Sequence, residues 1–351
     1  MKKAFILLLC LLLTGCVDVP TPPPTPAVKT PLPTLTAAEA AQVYFTSPND
    51  PSGGSDALAA AVTADIYAAV HTVDIAMYNF SLKPVADALL SAHNRGLQVR
   101  MVTDSDALDG SQIERLQAAG IKVIGDRREG LMHNKFLVID GSVVWAGSLN
   151  LTGSGTYNDN NNLVRFNSPE LAQNYTVEFE EMFSDDAFGS DSPANTPNPQ
   201  VTLAGGARVE NYFSPEDGVS AKLVALLDGA QHSIDFLAYS FTSDPIAETL
   251  IEQAAAGVQV RGVFDEDSYR SNTGGEFLRL QRAQLNVRLD GNPNLMHHKV
   301  FIIDGETVIF GSYNFTRAAE RTNDENVIVI HDAGVAQSFE REFEKVYSQA
   351  Q

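Results

Sequence analysis

Cysteine is nearly absent: the 351 residues contain two, Cys10 and Cys16, and none follows them. The body of the chain can therefore hold no disulfide framework and no cysteine-based metal site. Basic residues are scarce as well, 24 Lys and Arg against 44 Asp and Glu, for a net charge of -20. Wrapping a surface around a polyanion needs basic clusters that release counterions, so any phosphate this chain handles has to be met locally. A membrane-length apolar run is also missing, since the stretch at residues 4–13 is too short to span a bilayer as a helix. What is present, 44% hydrophobic and 19% charged residues, is the composition of a folded protein with room for about two domains, which excludes a disordered or fibrous chain.

Met1-Lys2-Lys3 ahead of the apolar run reads as an export signal over residues 1–15. Leu13-Thr14-Gly15-Cys16 resembles the bacterial lipobox, whose cysteine is lipid-modified and becomes the first residue of the mature protein. The expected location is the cell envelope, with the protein held to a membrane through Cys16. Seven prolines between residues 20 and 33 cannot build a core and favour an extended tether, so residues 16–38 read as the lipidated cysteine and a Pro-rich linker.

Beyond this segment the chain repeats itself. Tyr44-Phe45-Thr46-Ser47-Pro48 returns as Tyr212-Phe213-Ser214-Pro215, and His71-Thr72-Val73-Asp74 as His232-Ser233-Ile234-Asp235. The copies span residues 39–183 and 205–351, joined by a linker at 184–204 rich in Asp, Ser, Asn and Pro. In the first copy a strand at 73–78, a helix at 84–94, a strand at 98–103 and a helix at 112–119 alternate, and the second repeats the order with a helix at 245–255 and a strand at 258–264. This predicts an α/β fold with helices covering mixed sheets, and two halves packed about a pseudo-twofold axis within a monomer.

Each copy carries one HxKxxxxDG motif, His133-Asn134-Lys135 through Asp140-Gly141 and His297-His298-Lys299 through Asp304-Gly305. A Gly-Ser-x-Asn follows each, ending in Ser148-Leu149-Asn150 and Ser312-Tyr313-Asn314. Strand alternation puts His133 and Lys135 on one face and turns His298 away from His297, towards core packing. Asp-Gly between apolar runs predicts a two-residue hairpin turn, a register that sets His133 opposite Ser148 and His297 opposite Ser312. Two opposed imidazoles suit a two-step displacement at phosphorus, one attacking to form a phosphohistidine and the other protonating the leaving alkoxide. Lys135, Lys299, Ser148, Asn150, Ser312 and Asn314 would hold the phosphoryl oxygens. No metal or other cofactor is called for, because the lysines supply the cations.

The doubled motif resembles that of the phospholipase D superfamily over about residues 40 to 350. The resemblance implies a two-copy α/β sandwich, metal-independent phosphodiester cleavage, a phosphohistidine intermediate and His133, Lys135, Asp140, His297, Lys299 and Asp304 as the catalytic set. The stretch from Gly311 to Asn326 is similar to the small bacterial endonucleases of that superfamily, in which a glutamate at the position of Glu325 supports the histidine. The first copy has Asn161 there, so one histidine gains a carboxylate; the expectation is His297 as the charged acid and His133 as the nucleophile.

Asp140 and Asp304 also suit the turn itself, which favours support over direct chemistry. Tyr78 and Tyr239 sit at matching strand ends and are candidates for the cleft wall. Arg127, Arg128, Arg317 and Arg321 are candidate rim contacts to phosphate. Phospholipid and nucleic acid both offer a phosphodiester; the acidic charge and the lipid anchor favour phospholipid, with a choline or ethanolamine head group fitting an acidic surface best. A non-catalytic lipid-binding scaffold is the remaining alternative.

Overall fold

The computed structural model describes residues 40–48 and 54–351. The signal, Cys16 and the Pro-rich linker lie outside the described residues.

Runs of β-branched and aromatic residues such as Lys-Phe-Leu-Val-Ile at 135–139 form the strands. The first half builds β1 (Ala41–Phe45), β2 (Thr72–Met77), β3 (Gln98–Thr103), β4 (Lys122–Gly125), β5 (Lys135–Ile139), β6 (Val143–Gly147) and β7 (Asn162–Asn167), ordered β1-β7-β6-β5-β2-β3-β4. The second adds β8 (Gln200–Thr202), β9 (Arg208–Ser214), β10 (Ser233–Ala238), β11 (Gln259–Phe264), β12 (Asn286–Leu289), β13 (Lys299–Ile303), β14 (Thr307–Gly311) and β15 (Glu325–His331), ordered β12-β11-β10-β13-β14-β15-β9-β8. Apart from β8 the two sheets have the same order, and both are mixed: β2-β3-β4 and β10-β11-β12 run parallel, their other pairings antiparallel. The α/β expectation holds, with helices Lys83–Asn94 and Asp244–Ala255 starting within one residue of the anticipated positions.

Two helices, Pro169–Phe183 and Ala333–Gln349, lie against the inner faces of the sheets. Alternation explains the layering. Phe136 and Val138 of β5 join Val300 and Ile302 of β13 and both inner helices in one core shared by the halves, whereas Leu137 and Ile139 face an outer core private to the first half. The segment 184–204 is more than a connector. Gln200–Thr202 adds an edge strand to the second sheet, and the Asn198 N–H donates to Asn174 Oδ1 at 2.9 Å.

The anticipated hairpin register is corrected by one residue. Asp140 and Gly141 take positive φ and the Ser142 N–H closes the turn on the Ile139 carbonyl, but Ser142 is then left over and Ile139 pairs with Val143. In the second copy Ile303 pairs with Thr307 around Asp304-Gly305-Glu306. The extra residue ends the predicted pairing of His133 with Ser148 and of His297 with Ser312.

Candidate active site

The two motifs meet across the halves through short parallel bridges, Met132 with Asp324 and Asn160 with Met296. The His133 N–H donates to the Asp324 carbonyl at 3.0 Å and the His297 N–H to the Asn160 carbonyl at 2.9 Å. The stretch that opens β5 is thus clamped by the residues just before β15, and the stretch that opens β13 by those just before β7.

The side chains follow the same exchange. His133 Nδ1 lies 2.7 Å from Glu325 Oε2, which also accepts the Ser312 hydroxyl at 2.7 Å. His297 Nδ1 lies 2.9 Å from Asn161 Oδ1, which also accepts the Ser148 hydroxyl at 2.9 Å. The Asn161 amide donates to the Gly155 carbonyl at 2.9 Å, which turns its oxygen towards His297. Both imidazoles therefore carry a proton on Nδ1 and present Nε2 to the cleft. Two expectations are corrected here. Glu325 sits on His133 and not on His297, and each serine serves the histidine of the opposite half, because the halves trade their supporting residues across the pseudo-twofold axis.

Lys135 and Lys299 are buried, each donating Nζ to the carbonyl of its own motif histidine, at 2.7 and 2.8 Å. Burial lowers the Lys135 ammonium to about 7, against the pull of Glu325, and holds Lys299 well below its usual range, with the Lys135 charge adding to the effect. Burial likewise pushes His133 down to about 4 although Glu325 opposes it, and His297, which has no carboxylate partner among the described residues, falls well below 6.5. Such a site is poised for an anion, whose charge would restore the protons that burial removes. Tyr78 packs its ring 4.9 Å from His133 and Tyr239 4.6 Å from His297, with Lys135 and Lys299 over the same rings.

Asn150 and Asn314 keep their side-chain oxygens buried without a hydrogen-bond partner among the described residues. Asp140 and Asp304 are corrected from catalytic to structural. They stand at the far ends of β5 and β13, five residues or about 17 Å from the lysines. Asp140 accepts the N–H groups of Val70, His71 and Thr72, and Asp304 those of Gln231, His232 and Ser233. Partial burial raises their pKa, but these bonds outweigh it and hold it below the usual value. Arg127 and Arg128 are corrected as well: Arg127 pairs with Asp186, and Arg128 pairs with Asp324 while lying over Phe188, so both brace the structure. Arg317 and Arg321 are exposed. His298 is buried, with Nδ1 2.9 Å from the Asn162 amide, as the alternation predicts.

Asn161 as the partner of His297 and the layer beneath the histidines were not read from sequence. In that layer Asn326 donates to Asn134, and Asn134 donates to the buried Glu178. The available signal was the repeat itself, since Asn161-Asn162 and Glu325-Asn326 occupy matching positions. Among the described residues no group of three or more His, Cys, Asp or Glu is placed to hold a metal ion.

A family model described as cardiolipin synthase, PLD-like domain, matches residues 62–183 and again 223–347. A phospholipase D of Rickettsia bellii is 38% identical over 154 residues, which are 42% of this chain and 75% of that protein. A mitochondrial cardiolipin hydrolase of Xenopus tropicalis is 38% identical over 119 residues, 33% of this chain and 57% of that one. The phosphatidylserine synthase of Haemophilus influenzae shares the fold, with a TM-score of 0.66 at 14% identity over 88% of this chain and 87% of that one.

Proposed function

The chain belongs to the family of cardiolipin synthase, PLD-like domains, and from the crossed pair of histidines we infer how it works as a phospholipase D-type phosphodiesterase. His133 Nε2 attacks phosphorus; the N–P bond forms as the bond from phosphorus to the head-group oxygen breaks, and that oxygen takes the proton from His297 Nε2. Water then attacks the phosphohistidine, giving its proton to His297, and the N–P bond breaks to release phosphatidic acid and the free enzyme. Lys135, Lys299, Asn150 and Asn314 hold the phosphoryl oxygens, whose charge grows in flight.

The single observation that carries these roles is the unequal pair of supports. A phosphorylated imidazole is a cation, and Glu325 lies against Nδ1 of His133 to stabilise it. Asn161 offers His297 a neutral oxygen, so the proton on that ring is loosely held and readily given up. His133 thus keeps the role of nucleophile, although the carboxylate lies on it and not on His297.

Phospholipid is the substrate supported by the names of the relatives and by a net charge of -20, which disfavours a long polyanion. Attachment through Cys16 would keep the site beside that substrate at the cell envelope. The test is to incubate the chain from residue 38 onward, in excess EDTA, with phospholipid vesicles and separately with single- and double-stranded DNA. Phosphatidic acid release is expected. DNA cleavage with silent vesicles would reverse the substrate, and loss of activity in EDTA would remove the metal-independent mechanism.

A further inference from the structure

We propose that two chemically different side-chain clamps, Arg128 on Asp324 and Asn292 on Asn160, each position one histidine, so that Arg128 governs attack on phosphorus and Asn292 governs protonation of the leaving group. Which step each clamp serves rests on the histidine roles inferred above; which histidine it holds follows from the hydrogen bonds around it.

Each motif is entered by a loop, after β4 in the first half and after β12 in the second, and the loop is tied to the other half by a short ladder. The Leu131 carbonyl accepts the Asp324 N–H at 2.9 Å, and the Asp324 carbonyl accepts the His133 N–H at 3.0 Å. In the matching place the Leu295 carbonyl accepts the Asn160 N–H at 2.8 Å, and the Asn160 carbonyl accepts the His297 N–H at 2.9 Å. A side chain three residues before each ladder closes it. Arg128 pairs with Asp324 Oδ2, whereas the Asn292 amide donates to Asn160 Oδ1 at 2.7 Å and to the Asn158 carbonyl at 3.1 Å. The clamped residue directly precedes the one that fixes the ring: Glu325, on Nδ1 of His133, follows Asp324, and Asn161, on Nδ1 of His297, follows Asn160. Each clamp thus sets both the backbone of its histidine and the side chain that orients the imidazole.

The clamps occupy matching places in the repeat and differ in charge. Asp324 is buried, and burial pushes its carboxyl up to about 7 even with Arg128 beside it, so its ionisation depends on that guanidinium. Its second oxygen accepts the Gly189 N–H at 2.6 Å, and the guanidinium lies 5.2 Å from the centre of the Phe188 ring. The segment between the halves therefore closes over this clamp. Gly189 has a φ of 54°, and a Cβ there would overlap the guanidinium, so the approach requires glycine. The Asn292–Asn160 pair is neutral and weaker. The stronger clamp lies under His133, whose Nε2 must be aimed in line at phosphorus at close range. The weaker one lies under His297, which needs only hydrogen-bond reach to the leaving oxygen. A shift of about 1 Å in a reacting group can cost about a hundredfold in rate, enough for either clamp to matter.

The experiment measures the first-turnover rate of head-group release from two lipids with the same phosphatidyl group, phosphatidylcholine and phosphatidyl-p-nitrophenol. p-Nitrophenolate departs without a proton, so its release reads the nucleophile, whereas the choline alkoxide needs the acid as well. Arg128→Gln should lower both rates together, by about tenfold to a hundredfold, and Arg128→Lys, which restores the charge, should return them to within about threefold of the wild type. Asn292→Ala should slow choline release by about tenfold or more and leave p-nitrophenolate release within about threefold. Both rates come from one sample, so their ratio does not depend on how much of a variant is folded. If the ratio matches the wild type in both Arg128→Gln and Asn292→Ala, or if Arg128→Lys is no better than Arg128→Gln, the proposal is overturned. If the selective loss appears in Arg128→Gln and the uniform loss in Asn292→Ala, the clamps stand and the roles of His133 and His297 are exchanged. If both lipids are inert, the phospholipid reading fails; the same comparison on a thymidine dinucleotide and the p-nitrophenyl ester of thymidylate then decides the clamps by the same ratios.

Discussion

Glu325 and Asn161 occupy matching places in the two copies and differ by one functional group, a carboxylate against an amide. The Glu325→Gln variant keeps the shape and removes the charge that stabilises a phosphorylated His133. Its kcat should fall by a factor of about 10² to 10³, in line with other buried electrostatic supports, and stopped-flow assays should show the loss in the step that forms the phosphoenzyme. A drop below threefold would detach Glu325 from the chemistry. The pH dependence follows from the same pair. Burial pushes His133 down to about 4, which leaves it neutral across the working range, whereas His297 must carry a proton and its pKa is held well below 6.5. Above that value its protonated fraction falls about tenfold per pH unit. The profile of kcat/KM should therefore decline with a slope near -1 from about pH 6.5 upward and steepen above about pH 7, where Lys135 also loses its charge, and a rise over that interval would remove the need for a protonated histidine.

At the scale of elements, the Asp-Gly turns place a carboxylate where it can gather three N–H groups from the start of the neighbouring strand. Asp140 ties the entry of β2 to the end of β5, and Asp304 ties β10 to β13. Losing such charge-assisted bonds leaves N–H groups poorly paired, so Asp140→Ala should lower unfolding stability by about 1–3 kcal/mol in urea titrations. Its kcat, measured on the folded fraction, should remain within about threefold of the wild type. A loss of several orders of magnitude would return Asp140 to the reaction.

For the whole molecule the decisive feature is the core shared by both sheets, which takes in Phe136, Val138, Val300, Ile302 and both inner helices. Neither half can bury that surface alone, and each histidine depends on the other half for its support. Residues 39–351 should accordingly unfold in one calorimetric transition with coincident far- and near-UV dichroism; two resolved transitions would show that the halves are independent. Cys16→Ser should move the protein from the membrane fraction to the soluble fraction of the expressing cell, and continued sedimentation with membranes would end the proposed lipid attachment.

The amino-acid sequence by itself determined whatever depends on neighbours along the chain: the strands and helices of each copy, the faces of β5 and β13, and the identity of the paired histidines and lysines. Those features have a period, a turn signal or an internal repeat to mark them. Only the tertiary structure decided which residues meet. Glu325 reaches His133 across 192 positions and Asn161 reaches His297 across 136, and no periodicity encodes contacts of that length. The bulged residue after each Asp-Gly turn and the pairing of Arg127 and Arg128 with carboxylates belong with them. Each is settled by packing between distant segments, where a one-residue shift or one acidic neighbour changes what a side chain can do.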